Sequence, residues 1–529
     1  MSGRHADRED PDGLLSAETD PAGVAFNPLG AEASSDLNWF MLLRERVQTR
    51  ASTSSRHSWW VLWALLAGLL ALNFTFTVFI VALPTVAGQL HTSITVLTWT
   101  MIGPLLAYGL AAPILGKVGD LWGHRRLYLA GLASAMGTAA LTALAANAGW
   151  LLAARTLDGL QGAATGTASG ALISLAFSPE TRVKAMGWWS LVGAGGPVIG
   201  VSLGSPIIAA FGWRALFWVQ LGLIAISLVV VWVVLPRGEG VSETSGARDA
   251  FRSMDWLGSW ALSASVLCLM LGLSLAPTWG WTSGWIIALG AASVVLVAVF
   301  IYRLNHAAHP LIPPHYFRRR NFVMPMLLRG AATFAYFGGF FLFPLLMERG
   351  YGYSIARVGA IAVARPIVFA ISSPIAGYVA MRIGERVSAV AGASFLAASM
   401  GMFALLSPSS GAFEVIVALA LSGLGMGVAM PSSSSVMANE VRANEFGVMS
   451  AAQMLSVQVG EVAGIEILET IQQSLVRRGH LAGTSPGPAL LATFRTPFTV
   501  GAIVAAAGVV AALFLRDVPR PTRPRQRAR

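Results

Sequence analysis

A few ionisable side chains stand where this chain should tolerate them least. Arg155 and Asp158 fall inside the apolar stretch 150–174, Glu461 inside 447–470, and Arg365 beside Pro366 inside 355–378. Apolar stretches of this length read as membrane helices. A charge at the centre of such a helix costs roughly 2.5–3.5 kcal/mol on insertion scales, so it needs a partner, a water-filled cavity or a function. The chemistry open to these groups is proton exchange, because burial raises a carboxylate's pKa and a neighbouring guanidinium lowers it. Arg155 and Asp158 are three residues apart, share a helix face and can pair. Gln453, Gln458, Glu461, Glu466 and Glu469 follow one another along 447–470. Glu461 and Glu466 point about 140° apart, so they cannot share one seam. Glu461 lies past the middle of its helix and is the deeper candidate, with Arg365 at similar depth as its candidate partner. For both acids the alternative is a fixed ion pair needed only for folding. Arg329 lies about two turns into its own apolar stretch and is expected to snorkel toward the cytoplasm.

The elements that must carry these residues follow from composition. The chain has 529 residues, 55% hydrophobic and 12% charged, with a mean hydropathy of +0.65. Its apolar runs of about twenty residues indicate an all-α polytopic membrane protein. Fourteen spans are expected, the first at 59–83 and the last at 496–515. The single cysteine, Cys268, excludes an intramolecular disulfide and a thiol metal site. A membrane-embedded enzyme is not expected, since no HExxH, Walker loop or clustered Asp motif is present to carry such chemistry, and no metal or cofactor is expected. Residues 1–57 are polar, with no apolar core of a signal peptide, and 37–43 form a candidate short surface helix.

An even number of spans puts both termini on one side. The loops expected on that side carry Lys117, Arg125, Arg126, Arg182, Lys184, Arg303, Arg318, Arg319, Arg320, Arg382, Arg386 and Arg442. The opposite loops carry only Arg214, Arg349, Arg357, Arg477, Arg478 and Arg495. This bias places both termini in the cytoplasm. It also explains the net charge of +11 as topology and attraction to membrane lipids rather than nucleic-acid binding. Tryptophans cluster at expected helix ends, as in interfacial belts; the alternative for Trp279, Trp281 and Trp285 is an aromatic ligand box.

Between the second and third spans lies the polar turn 116–126, with glycines at 116, 119 and 123, Asp120, and the bases Lys117, Arg125 and Arg126. A weak copy at 377–386 has Met381 in place of the acid. Two copies eight spans apart imply two six-helix halves with two helices inserted between them. The pattern Gly116, Asp120, Gly123, Arg125, Arg126 resembles the signature loop of the major facilitator superfamily. Leu121 and His124 stand where that family usually has bases. The resemblance implies that Asp120 contacts the start of the thirteenth helix and gates the inner face; a carboxylate suits a helix N-terminus. With the central pair, the chain resembles the fourteen-span drug:proton antiporters over about 58–516.

Further motifs resemble that family. Residues 155–162 are similar to its arginine-bearing motif, in which the arginine helps govern proton release and Gln usually occupies the place of Asp158. Gly196, Pro197 and Gly200 in the fifth span resemble the motif of exporters, which implies a seal between the halves; the alternative is a small-residue packing face. The first span resembles the family's first-helix motif, but Asn73 replaces an aspartate and cannot titrate. The glycine-rich twelfth span resembles the cavity-lining helix, which makes Met426 and Met430, with Asn73, Gln161 and Gln458, candidate lining residues. The alternative for the methionines is core filling.

The expected organisation is a cytoplasmic tail at 1–57, a six-helix bundle at 58–236, a linker with two inserted helices at 237–320, a second bundle at 321–516 and a basic tail at 517–529. The expected function is export of hydrophobic or amphipathic small molecules across the plasma (inner) membrane by alternating access, in exchange for protons. The alternatives are a lipid or glycolipid exporter, a carrier without proton coupling, and a non-transporting lipid-binding or sensor protein.

Overall fold

The computed structural model of the protein describes residues 57–235, 255–479 and 487–517. The 37–43 segment, both tails beyond these limits, 236–254 and 480–486 lie outside the described residues. Among the described residues, everything regular is helical. The first seven helices are α1 (His57–Asn73), α2 (Phe76–Gln89), α3 (Ile94–Trp122), α4 (His124–Ala143), α5 (Ala148–Ala176), α6 (Pro179–Phe211) and α7 (Trp213–Val234). A hairpin of α8 (Trp256–Trp279) and α9 (Gly284–His306) follows. The second set is α10 (Arg320–Leu345), α11 (Ile355–Ala362), α12 (Ala364–Ile383), α13 (Glu385–Leu405), α14 (Ala412–Glu440), α15 (Phe446–Arg478) and α16 (Pro488–Leu513). Among the described residues, nine helices are long and apolar enough to cross a membrane by length and composition.

Local chemistry sets the helix ends. Ser93 and Asn147 accept the backbone N–H of Val96 and Trp150 and so start α3 and α5. Asp255 starts α8 by accepting from Gly258 N, and Arg303 at the end of α9 pairs with the same carboxylate at 2.8 Å, closing the hairpin. Gly123 links α3 to α4 at φ 95°, and Gly384 links α12 to α13 at φ 100°, a left-handed conformation that disfavours a side chain. These two glycines occupy matching places in the two sequence copies.

The first rod is broken where Asn73 stands. Asn73 turns its amide back to Leu69 O at 2.8 Å. Gln220 of α7, 3% exposed, donates to Ala71 O and Leu72 O, which the break leaves without helical partners.

Each set builds its own apolar core. One gathers Leu62, Leu65, Tyr128, Leu132, Ile173 and Ile224; the other gathers Phe343, Phe369, Leu396, Met400, Leu468 and Phe498. The sets meet where α3 and α5 pack on α15, and where α6 packs on α12 and α14. The α8–α9 hairpin docks on α3 and α15 through α8, beside this junction. Small residues make the close approaches. A Cβ on Gly116 would stand 2.6 Å from Gly447 O, and one on Gly187 2.7 Å from Ser373 O. Gly377, the counterpart of Gly116 near the end of α12, leaves a Cβ 2.8 Å from Val183 O, so in each set the end of one helix meets the early turns of a helix from the other.

Candidate functional site

The turn after α3 joins the two sets. Asp120 Oδ1 accepts the N–H of Gly447 at 2.7 Å and Oδ2 that of Val448 at 3.0 Å. These are among the first amides of α15, which have no partner within their own helix. The carboxylate is 2% exposed, and His124 Nε2 lies 3.1 Å from Oδ1. Gly447 has no room for a side chain, since a Cβ there would strike Gly116 O, His124 and Asp120. Arg125 turns away from the acid and donates to Leu235 O and Trp232 O, both at 3.1 Å, capping the end of α7. Arg126 is exposed on the first turn of α4. The second copy differs. There Met381 and Glu385 line a groove of about 450 Å³ between α6 and the α12–α13 turn, and Asp517 caps α13 by accepting Arg386 N at 2.8 Å.

A second polar centre lies within the first set. Arg155 Nη1 pairs with Asp158 Oδ2 at 2.9 Å. Thr138 and Gln161 both donate to Asp158 Oδ1, at 3.0 and 2.9 Å. The guanidinium, 2% exposed, stands 5.5 Å from the Phe79 ring and 5.8 Å from that of Phe217. Thr138, Phe79 and Phe217 were not legible as partners, because they come from α4, α2 and α7 and only tertiary packing brings them together.

Arg365 and Glu461 are not joined. Arg365, 1% exposed, donates to Tyr336 O. Its guanidinium lies 3.3 Å from the Tyr336 ring centroid and 4.8 Å from that of Phe340. The expected ion pair gives way to an aromatic sandwich, which spreads the charge over ring faces already buried there. Glu461 is half-buried on α15 and makes no ion pair among the described residues. Arg329 also departs from expectation. It is 3% exposed and donates to Ser434 Oγ at 2.6 Å instead of reaching the surface.

The candidate cavity residues scatter. Gln161 serves the Asp158 network, and Asn73 serves the α1 break. Gln458 is 7% exposed on α15. Met426 and Met430 pack into the core of the second set with Phe369, Leu396 and Met400. Gly196, Pro197 and Gly200 lie within helix α6; their side-chain surroundings fall outside the described residues. Trp279, Trp281 and Trp285 form no enclosed box. Trp285 is 73% exposed, and Trp281 donates to Thr470 Oγ1 at 3.3 Å.

Two pseudo-equivalent helix sets, latched by an aspartate from one on a helix start of the other and holding charged groups inside apolar helices, define a membrane transporter. The chain matches the Major Facilitator Superfamily over residues 64–258 and 252–465, and it belongs to that family of transporters rather than to any class of enzyme. It is 28% identical to the tetracenomycin C resistance and export protein of Streptomyces glaucescens, over 81% of this chain and 78% of that one. It is 26% identical to the multidrug transporter protein MdtP of Bacillus subtilis, over 76% and 72% of the two chains. The multidrug resistance protein Stp of Mycobacterium tuberculosis is 27% identical over 77% and 75%. Among solved structures, the human organic anion transporter MFSD10 shares the fold with a TM-score of 0.60 at 16% identity, over 86% of this chain and 99% of that one.

Proposed function

We propose that the protein exports hydrophobic or amphipathic small molecules in exchange for protons, by alternating access across the plasma membrane. The observation that carries this is the Asp120 latch on Gly447 and Val448. It ties the two sets at one end through a contact that rigid-body rocking can break and remake. Relatives named for resistance and export supply the direction of transport.

Reading α1–α2 and α11–α12 as one interrupted span each gives fourteen spans. The bundles are then 58–236 and 321–516, with the α8–α9 hairpin in the linker 237–320 and both tails in the cytoplasm. Asp158 and Glu461 are the candidate proton carriers. Asp158 shares its charge with Arg155, Thr138 and Gln161, so a proton arriving there would loosen three contacts at once. Glu461 stands without a cation among the described residues, at the level where α15 packs on α10. Gly196, Pro197 and Gly200 are assigned to the seal between halves, and Met426, Met430, Gln458, Gln161 and Asn73 to the vicinity of the substrate path.

The test is a proteoliposome of purified protein with an imposed pH gradient. Substrate-driven proton movement supports antiport. Substrate movement indifferent to the gradient leaves export without proton coupling, and movement of neither removes the reading.

A further inference from the structure

Four arginines are buried among the described residues. Arg182, on the first turn of α6, donates to Asn439 Oδ1, Ser174 O and Phe177 O, and the charges of the other three are compensated in different ways. Arg155 has Asp158. Arg365 has two aromatic faces and a backbone carbonyl. Arg329 has only the neutral Ser434 hydroxyl. Its Nε has no hydrogen-bond partner, and it forms no ion pair among the described residues. A buried guanidinium offers five donors in a fixed fork, and leaving most of them unused beside an uncompensated charge is costly.

The same place holds a second unsatisfied donor. Tyr108 is the central residue of α3 (Ile94–Trp122). Its hydroxyl is buried with no hydrogen-bond partner. It lies over Gly166 of α5, one turn before Gly170, which packs against Ser450 of α15, about one turn before Gln453. Tyr108 lies over α5, where a Cβ on Gly162 would stand 3.3 Å from its ring. Arg329 belongs to α10, about 14 Å along the helix from its start at 1.5 Å per residue. It is one residue before Gly330, against which Gly460 of α15 packs. Gln453 of α15 reaches Ser434 O at 3.4 Å. So one donor comes from each half, near mid-depth, at the junction where alternating access places a substrate.

We infer that Arg329 and Tyr108 together recognise an ionised oxygen, a carboxylate or phenolate, on an amphipathic substrate. The guanidinium supplies charge and N–H donors from the second half, and the phenol supplies an O–H donor from the first. A substrate anion therefore engages both halves at once, and it neutralises the buried charge that the protein itself leaves open. This rests on the exporter reading and narrows its substrate class.

The test uses two dyes with one xanthene skeleton, anionic fluorescein and cationic rhodamine 123, binding to the full-length protein in phosphatidylcholine nanodiscs. The wild type should prefer fluorescein. Arg329→Gln should lower the fluorescein-to-rhodamine affinity ratio at least tenfold, Arg329→Lys should recover part of it, and Tyr108→Phe should lower it severalfold. An unchanged ratio in Arg329→Gln overturns the inference, as does equal loss for both dyes, which marks a structural role. A wild type that prefers rhodamine 123 or binds neither dye also overturns it. Gradient-driven dye movement in proteoliposomes separates the two readings. Movement of a dye with an arginine-independent ratio keeps the exporter and removes the anion site. An arginine-dependent preference without movement keeps the anion site and removes the exporter.

Discussion

Asp120 at the end of α3 and Gly447 at the start of α15, 327 positions apart, are joined by a 2.7 Å hydrogen bond from the Gly447 amide to the carboxylate. The bond is half of a helix cap made in trans, with Val448 as the other half. Its strength comes from the ionised acceptor and the positive end of the α15 dipole. Its geometry depends on Gly116 and Gly447 bringing the backbones together.

Asp120→Asn should cripple transport while the protein still folds and inserts. The amide keeps the size but removes the charge, and one of its two terminal atoms is a donor facing another donor. Loss of about 1–2 kcal/mol at the latch is expected. Export in vesicles, with insertion checked by detergent-extracted monodispersity, measures this; normal export would show that the latch is not part of the cycle.

Gly447→Ala should be as damaging as the charge change, because its Cβ has backbone and side-chain atoms in its place. Gly401→Ala is the control, since nothing lies within 4 Å of a Cβ there. Thermal stability and export of the two variants should diverge. Similar behaviour of both would mean that α3 and α15 can separate at little cost.

Arg365 and Glu461 should behave as independent residues. Arg365→Met and Glu461→Gln should add within about 0.5 kcal/mol in a double-mutant cycle, as unlinked sites do. Arg365→Met and Tyr336→Leu should instead couple by about 1 kcal/mol or more, as stacked residues do. Thermal denaturation in detergent reads both cycles. Coupling of the first pair would restore the ion pair that the fold replaces.

Much of this was legible because membrane helices announce themselves by length and the turn 116–126 by its glycines and charges. The Arg155–Asp158 pair was legible because three residues is a helix repeat. What the sequence hid is lateral. Nothing in it shows that Arg365 lies beside Tyr336, that Arg329 reaches Ser434, or that Gln220 mends the break at Asn73. Each depends on helix rotation, and apolar spans carry weak rotational signals because lipid and protein interior are alike in polarity. The Met381 copy was legible as degenerate, but its consequence, a groove and a cap from Asp517 instead of a latch, was not.

Tyr316, in the turn Pro314–Arg318 before α10, fastens the linker to the α14–α15 connection. Its hydroxyl donates to the Glu445 carboxylate and accepts Arg442 N at 3.2 Å. Burial first, and then the Glu445 contact, push its phenol above the usual range. A raised folded-state pKa favours the protonated form. The contribution is therefore whole below the unfolded phenol's pKa near 10 and disappears as pH rises through the folded value. Tyr316→Phe should lower stability by about 1.5–3 kcal/mol at pH 8, the range for a hydrogen bond to a charged group. It should also flatten the loss seen in the wild type above pH 10. Parallel melting curves for the two proteins across that range would remove the assignment.

The last prediction concerns coupling. Asn73 cannot titrate, so the proton falls to Asp158 or Glu461. If Asp158 carries it, Asp158→Asn keeps a hydrogen-bonding side chain beside Thr138 and Gln161 but leaves Arg155 without its counter-charge. Substrate should then still bind, and export should lose its response to an imposed pH gradient by tenfold or more. If Glu461 carries it, Glu461→Gln gives that phenotype, at little cost to folding because Glu461 holds no cation among the described residues. A purely structural Asp158 behaves differently. Its amide, which breaks the buried pair at about 3–5 kcal/mol under either reading, would then lower binding and transport together. Binding, gradient response and melting temperature of the two amides, measured side by side, decide among these. Gradient-driven export at wild-type rate by both variants would remove both acids as carriers and place the coupling elsewhere in the chain.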